Sequence, residues 1–181
     1  DRLLDSEGVA TLMTRVGDSY VSLADRAAFG NRAKESIFIS IHFNEDNQPV
    51  ATGVETYYAA HQINSGSTFA SWLPFFSRPP SNSQPESQSL ASFIQEALVA
   101  RTRSVDRGTQ AKQFFVIANV TSPAVLIEAG FITNKDELSK LVSEDYRDQL
   151  AAAVADGVLR YRDALSQRKS AVAATGQRST E

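Results

Sequence analysis

The sequence predicts an α/β domain of three layers, a mostly parallel twisted sheet with helices on both faces, phosphorylase/hydrolase-like in layout. Three observations carry this. Apolar runs of strand length alternate with segments of helical period. The run at residues 36–42 (SIFISIH) is apolar on both faces, as a central strand covered by helices must be. The chain has 181 residues, 42% of them hydrophobic, which suits one domain with a substantial core.

Taken in order, Gly8 stops an opening helical stretch, and residues 9–14 are the first short strand expected. Ser22 then caps a helix, with Asp25 three residues on as its capping-box partner, running to about Ala33. The SIFISIH strand follows, and residues 53–59 (GVETYYA) make another. Residues 60–87 break the rhythm, mixing turn formers with Phe69, Trp72, Leu73, Phe75 and Phe76. A loop of that length inside a domain is functional or partly disordered. A helix is expected over residues 89–104, with Leu90, Phe93, Ile94, Ala97 and Leu98 in one stripe. Residues 114–120 and 124–128 read as two more strands. Beyond Thr133-Asn134 the chain reads as helical to Leu165 with a break near Ser143, and from Gln167 as a polar tail. The expected organisation is a domain over residues 1–165 and a tail or linker over residues 166–181.

Composition excludes several functions. A formal net charge of -3 implies no basic face, so neither nucleic acid nor an anionic membrane surface is an expected partner. The absence of cysteine removes disulfides, thiolate nucleophiles and cysteine zinc ligands, leaving His, Asp and Glu for any metal. No apolar run is long enough for a membrane span, and no signal peptide opens the chain. Asp1-Arg2-Leu3-Leu4 reads as the middle of a helix.

The chemistry is expected at two strand ends. His42 ends an apolar strand and is followed by Asn44, Glu45 and Asp46; Glu128 ends the apolar run over residues 124–127. Ligands of open α/β sheets bind beyond the carboxyl ends of strands, so both side chains would share a crevice. A carboxylate there needs a cation, a metal or hydrogen bonds, and a nearby imidazole favours a metal. The structural alternatives are a hydrogen-bonded His42, and a Glu128 that pairs with Arg or Lys or caps a helix. His61, in the loop, is a weaker candidate for the same site. No GxSxG elbow, phosphate-binding glycine loop or HExxH helix is present. The aromatic residues at 69–76 form either a sugar or peptide platform or a small core beneath the loop.

The segments together resemble the catalytic domain of the zinc-dependent N-acetylmuramoyl-L-alanine amidases, which trim peptide stems from peptidoglycan. Thr14-Arg15, Asp18, Ser22-Leu23 and Arg26 resemble the family's TR..D....L..R passage. Ser40-Ile41-His42-Phe43-Asn44 resembles its SIHAN segment, with Phe43 where alanine is usual. Gly53-Val54-Glu55-Thr56-Tyr57-Tyr58, Ser89-Leu90-Ala91 and Arg107-Gly108 fall in the expected order. Residues 123–134 (PAVLIEAGFITN) are similar to its PAVLVE.GFISN block.

The resemblance implies that His42 is the last of three zinc ligands and Glu128 the catalytic carboxylate. The other two ligands, a His in a GHGG-like turn and a Glu on the next helix, are expected upstream of residue 1. The first strand and part of the first helix are then missing, and metal binding by this stretch alone is in question. Asn44 would orient His42, bind substrate, or merely shape a turn. The expected substrate is peptidoglycan or muropeptides, met in the periplasm or outside the cell. The loop at residues 60–87 would be either a plug that an activator protein displaces or a fixed substrate wall. The runner-up is a catalytically silent relative that binds peptidoglycan or a division partner. A third reading is a metal-free small-molecule-binding α/β domain.

Overall fold

The computed structural model describes residues 1–62 and 85–178. A short helix, α1 (Arg2–Ser6), opens with the Asp1 carboxylate accepting from the Arg2 amide. The next helix, α2 (Leu23–Gly30), starts at Ser22 as its spacing predicts: Ser22 Oγ accepts from the Asp25 amide and donates to the Asp25 carboxylate. Two strands follow, β1 (Phe38–Asn44) and β2 (Val54–Tyr58), then the long helix α3 (Pro85–Thr102). A third strand, β3 (Asp106–Ala111), leads into the one-turn helix α4 (Phe115–Ala118) and the central strand β4 (Ala124–Phe131). Two helices close the chain, α5 (Lys135–Leu141) and α6 (Glu144–Arg178). The break between them falls at Ser143, as expected.

The four strands are ordered β1-β4-β2-β3. The pairs β1–β4 and β2–β3 are parallel, whereas β2 runs antiparallel to β4. The sheet is therefore mixed, with two parallel pairs of three. It carries helices on both sides. On one face Val54, Val125, Ile127 and Ala129 pack beneath α3, α5 and α6, with Leu90, Ile94, Leu98, Leu141, Val154 and Val158 buried against them. On the other, Phe38, Tyr57, Ala124 and Leu126 meet Ala27 of α2 and Val116, Ile117 and Ala118 of α4. Burial of this apolar surface on both sides of β4 supplies most of the driving force. Gly157 lets α3 and α6 close together, since a Cβ there would lie 2.6 Å from the Ile94 Cα.

Four expectations differ from what is observed. Residues 9–14 are not a strand: they join no ladder among the described residues, and Leu12 and Met13 are exposed. Strand propensity is realised only on a paired, half-buried surface. Residues 114–120 contain α4 rather than a strand, because a short apolar run does not distinguish a buried helix turn from a buried strand. In its place β3 supplies the ladder, from a polar sequence (DRGTQA) with no apolar alternation; it is an edge strand paired only with β2. Past Gln167 the chain stays helical to Arg178, with side chains exposed through Ala174. The plug-or-wall expectation, the aromatic cluster and the activator acting on the loop fall largely on residues 63–84, outside the described residues.

No helix among the described residues is long and apolar enough to cross a membrane.

Candidate active site

Three chemistry-bearing residues line up across the sheet. In the ladder His42 of β1 stands beside Glu128 of β4, and Glu128 stands opposite Glu55 of β2. Side chains of registered partners point to one face. That face is the one α2 and α4 cover, but their cover stops at the row of Ser40, Leu126 and Tyr57. One step further along, His42 is exposed and Glu128 half-buried, while Glu55 is buried. The site is thus a shelf on the sheet's face rather than a crevice beyond its strand ends.

This placement corrects the expected geometry. Neither residue ends its strand: β1 runs on to Asn44, and β4 continues through Ala129 and Gly130 to Phe131. The small residues keep the ladder intact past Glu128, with a register shift between His42 and Asn44. At the far end the Ile132 amide donates to the Asn44 carbonyl.

Glu55 is 2% exposed and fully engaged. It accepts from Asn44 Nδ2 at 2.8 Å, from Arg107 Nε at 3.3 Å and from Gln110 Nε2 at 3.4 Å. The guanidinium that neutralises it also stacks 5.0 Å from the Phe131 ring centroid. Glu128 is the opposite case: its Oε2 is buried and has no hydrogen-bond partner among the described residues. Burial, and then the negative charge of Glu55, push its carboxyl up to about 7, against a smaller lowering by Lys112. A carboxyl that exchanges its proton near neutral pH, set beside a carboxylate ion-paired with Arg107, is a division of labour seen where acid–base chemistry is done.

His42 lies at the other side of Glu128. Its Nε2 is 2.8 Å from Ser40 Oγ, two residues back on the same face of β1. Partial burial, and then the Arg26 cation from α2, hold the imidazole below its usual range, which favours the neutral, ligating form. Asn44 does not orient His42; its amide donates to Glu55, and its Oδ1 accepts from the Glu45 amide at 2.9 Å. His61 is not brought to the site. It follows the end of β2, where Tyr58 pairs with Val125, three residues before Glu128 in β4, and its carbonyl accepts from Gln113.

Several participants escape the sequence reading. Glu55 is a carboxylate within an apolar strand, the same signal that marks Glu128, but it lies near a strand's start rather than its end. Arg107 and Gln110 sit on the unrecognised strand β3. Lys112 follows it, with Nζ 4.6 Å from the Tyr57 ring centroid and 5.8 Å from that of Phe114.

Whether this donor set suits zinc can be tested on the residues themselves. An imidazole held neutral and a buried carboxyl oxygen without a partner are ligands of the right kind. Among the described residues, however, no group of three His, Asp or Glu side chains converges as a metal requires. The donors are of a kind zinc accepts, but the described residues do not by themselves complete a zinc site.

Fold and shelf together define an α/β domain with one carboxyl poised near neutral pH on an exposed part of its sheet. Comparison with known proteins gives the family. The family model described as N-acetylmuramoyl-L-alanine amidase matches residues 1–160, and the chain belongs to this family. It is 32% identical over 158 residues to the N-acetylmuramoyl-L-alanine amidase LytC of Bacillus subtilis, covering 87% of this chain and 28% of LytC. It is 32% identical over 160 residues to the uncharacterized protein YqiI of the same organism, covering 88% of this chain and 68% of YqiI. Among solved structures, an N-acetylmuramoyl-L-alanine amidase from Clostridium difficile 630 superimposes with a TM-score of 0.71 at 32% identity, covering 90% of this chain and 78% of that one. The chain thus spans less than a third of LytC, and most of the other two.

Proposed function

We propose that this domain hydrolyses the amide between N-acetylmuramic acid and L-alanine in peptidoglycan or muropeptides, with Glu128 carrying the proton. One observation carries the reading: a buried carboxyl oxygen without a partner, on a carboxyl pushed up to about 7, opposite a carboxylate already neutralised. Membership of the family supplies the bond.

In this reading the scissile carbonyl lies over the shelf between His42 and Glu128. Water's oxygen bonds to the carbonyl carbon while its proton passes to the Glu128 carboxylate. The C–N bond then breaks, and Glu128 returns the proton to the departing alanine nitrogen. The products are a free lactyl carboxylate and a peptide with a free amino terminus. A carboxyl near 7 suits both transfers, since it neither holds nor sheds the proton too strongly. Asn44, Arg107 and Gln110 hold Glu55 charged and fixed behind it. Zinc is part of the proposal: His42 would be one ligand, with the others, as the family resemblance implies, upstream of residue 1. When bound, zinc lowers the pKa of water to about 7 and polarises a carbonyl. Action on peptidoglycan places the protein in the periplasm or outside the cell.

The test supplies the protein with zinc and purified peptidoglycan and measures new amino-terminal alanine. Release is expected, with E128Q losing about a hundredfold or more at unchanged zinc content. An E128Q variant at near-wild-type rates would remove Glu128 from the mechanism. H42A should lower the zinc bound per chain.

A further inference from the structure

The Lys112 ammonium stands on the shelf without a counter-ion. No ion pair among the described residues includes it. An aromatic corner positions it instead: Tyr57 and Phe114 meet edge to face at 5.1 Å, and Nζ lies over both rings. Its one hydrogen bond from Nζ is a long one, 3.4 Å to the Tyr57 hydroxyl. Tyr57 is buried, whereas Phe114 and Lys112 face solvent. The backbone beneath is pinned as well, since the Lys112 amide donates to the Tyr58 carbonyl. A lysine normally keeps its charge fully hydrated on a mobile stem. Here the stem is docked against two rings and the charge is left available.

Position matters as much as charge. Tyr57 registers with Leu126 and Glu55 with Glu128, so Lys112 lies on the β2–β3 side of Glu128 and His42 on the β1 side. The two halves of a muramoyl-alanine substrate differ in charge. The acyl half has spent its carboxyl in the amide and brings hydroxyls and an acetamide. The amine half is an amino acid or peptide and brings free carboxylate. An ammonium in no ion pair on the β2–β3 side of the proton carrier therefore favours the half that carries free carboxylate there; the cation on the β1 side, Arg26, has its Nε donating to the Val21 carbonyl.

We propose that Lys112 is a specificity-determining residue that receives a carboxylate of the departing peptide and so fixes which way the substrate lies across Glu128. The inference rests on the amidase reading above. An exposed pair contributes about 1 kcal/mol or less, and a charge-assisted hydrogen bond on a positioned donor contributes more, so about a fivefold to tenfold effect on binding is expected.

The probe is N-acetylmuramoyl-L-alanyl-glutamate with free carboxyls, compared with the same molecule bearing carboxamides. Binding of both to E128Q protein is measured by calorimetry, so that turnover does not intervene. The acid is expected to bind about fivefold to tenfold more tightly than the amide. E128Q/K112M should bind the two within about twofold, E128Q/K112E should prefer the amide, and E128Q/K112R should regain part of the preference. In the turnover-competent protein, K112M should raise KM on the acid more than it lowers kcat. Equal binding of acid and amide, or a preference that survives K112M, would overturn the inference and leave the amidase reading intact if wild-type protein generates new amino-terminal alanine from peptidoglycan. A wild-type protein that generates none overturns the amidase reading, and the inference falls with it.

Discussion

Glu55 and Glu128 stand opposite each other across the antiparallel ladder of β2 and β4, and the protein treats them unequally. Glu55 receives a guanidinium and two amides; Glu128 receives nothing on Oε2. Two buried carboxylates so placed cannot both ionise cheaply. Because the sheet fixes the register, the asymmetry is built into the backbone.

The first consequence concerns stability against pH. Folded Glu128 keeps its proton up to about 7, whereas an unfolded glutamate loses it near 4.5. Between those values the native state binds more protons than the unfolded one. The stabilisation is therefore full below about 4.5 and is lost as pH rises through about 7. E128Q has no such proton to lose. With a chelator present it should match wild type at pH 4 and exceed it at pH 8 by about 1–2 kcal/mol, a figure discounted for the partial exposure of Glu128. Thermal melts at the two pH values test this; equal offsets at both would show that Glu128 is not held protonated.

The second concerns the counter-charge. R107M leaves Glu55 buried beside Glu128 without its cation, held by Asn44, Gln110 and the Tyr57 hydroxyl. Breaking a buried pair from one side costs several kcal/mol, and since the Arg107 side chain is 37% exposed, about 1–3 kcal/mol is expected in urea unfolding at neutral pH. E55Q removes the like charge, so the Glu128 titration followed by carboxyl NMR should move down from about 7. No movement would leave burial as the sole cause.

Sequence reading reached the strands that carry His42 and Glu128 because their apolar runs are strong, and it reached α2 through the Ser22–Asp25 cap. It missed β3 because an edge strand needs no apolar face, and with it Arg107 and Gln110. It misread residues 114–120 because burial, not period, decides a four-residue turn such as α4. The pairing of Glu55 with Glu128 was out of reach for a different reason. Register between β2 and β4 depends on an antiparallel neighbour about seventy residues away, and no local pattern records it.

A third prediction concerns Glu137, a buried carboxylate with a structural task. Its Oε1 accepts from the Gly53 amide at 2.8 Å and its Oε2 from the Phe131 amide at 2.7 Å, tying the start of β2 to the end of β4. Gly53 has φ +109, and a Cβ there would lie 2.5 Å from the Val105 carbonyl, so this corner admits little adjustment. E137A strands two buried donors and should cost about 2–4 kcal/mol. E137Q keeps one acceptor and should cost about half. Hydrogen exchange at Gly53 and Phe131 should rise before that at Ile127; uniform exchange would mean that the tie is not local.

The last prediction tests how α3 and α6 are held. At Gly157 an added Cβ would meet the Ile94 Cα at 2.6 Å, its Cγ1 at 2.9 Å and its amide nitrogen at 2.9 Å. Alanine is the better helix former by about 1 kcal/mol, which alone would make G157A stabilising. The contact opposes this, and because two of the three atoms are backbone, no rotamer change at Ile94 relieves it. Overpacking of this kind costs about 1–3 kcal/mol, so G157A should be neutral to destabilising by about 2 kcal/mol in urea. The discriminating variant is G157A/I94V, which trims the Ile94 side chain and leaves the backbone collision. It should be less stable than G157A, since it adds a small cavity without removing the clash. Recovery of stability in the double variant would show that side-chain packing, rather than backbone approach, sets the spacing of the two helices.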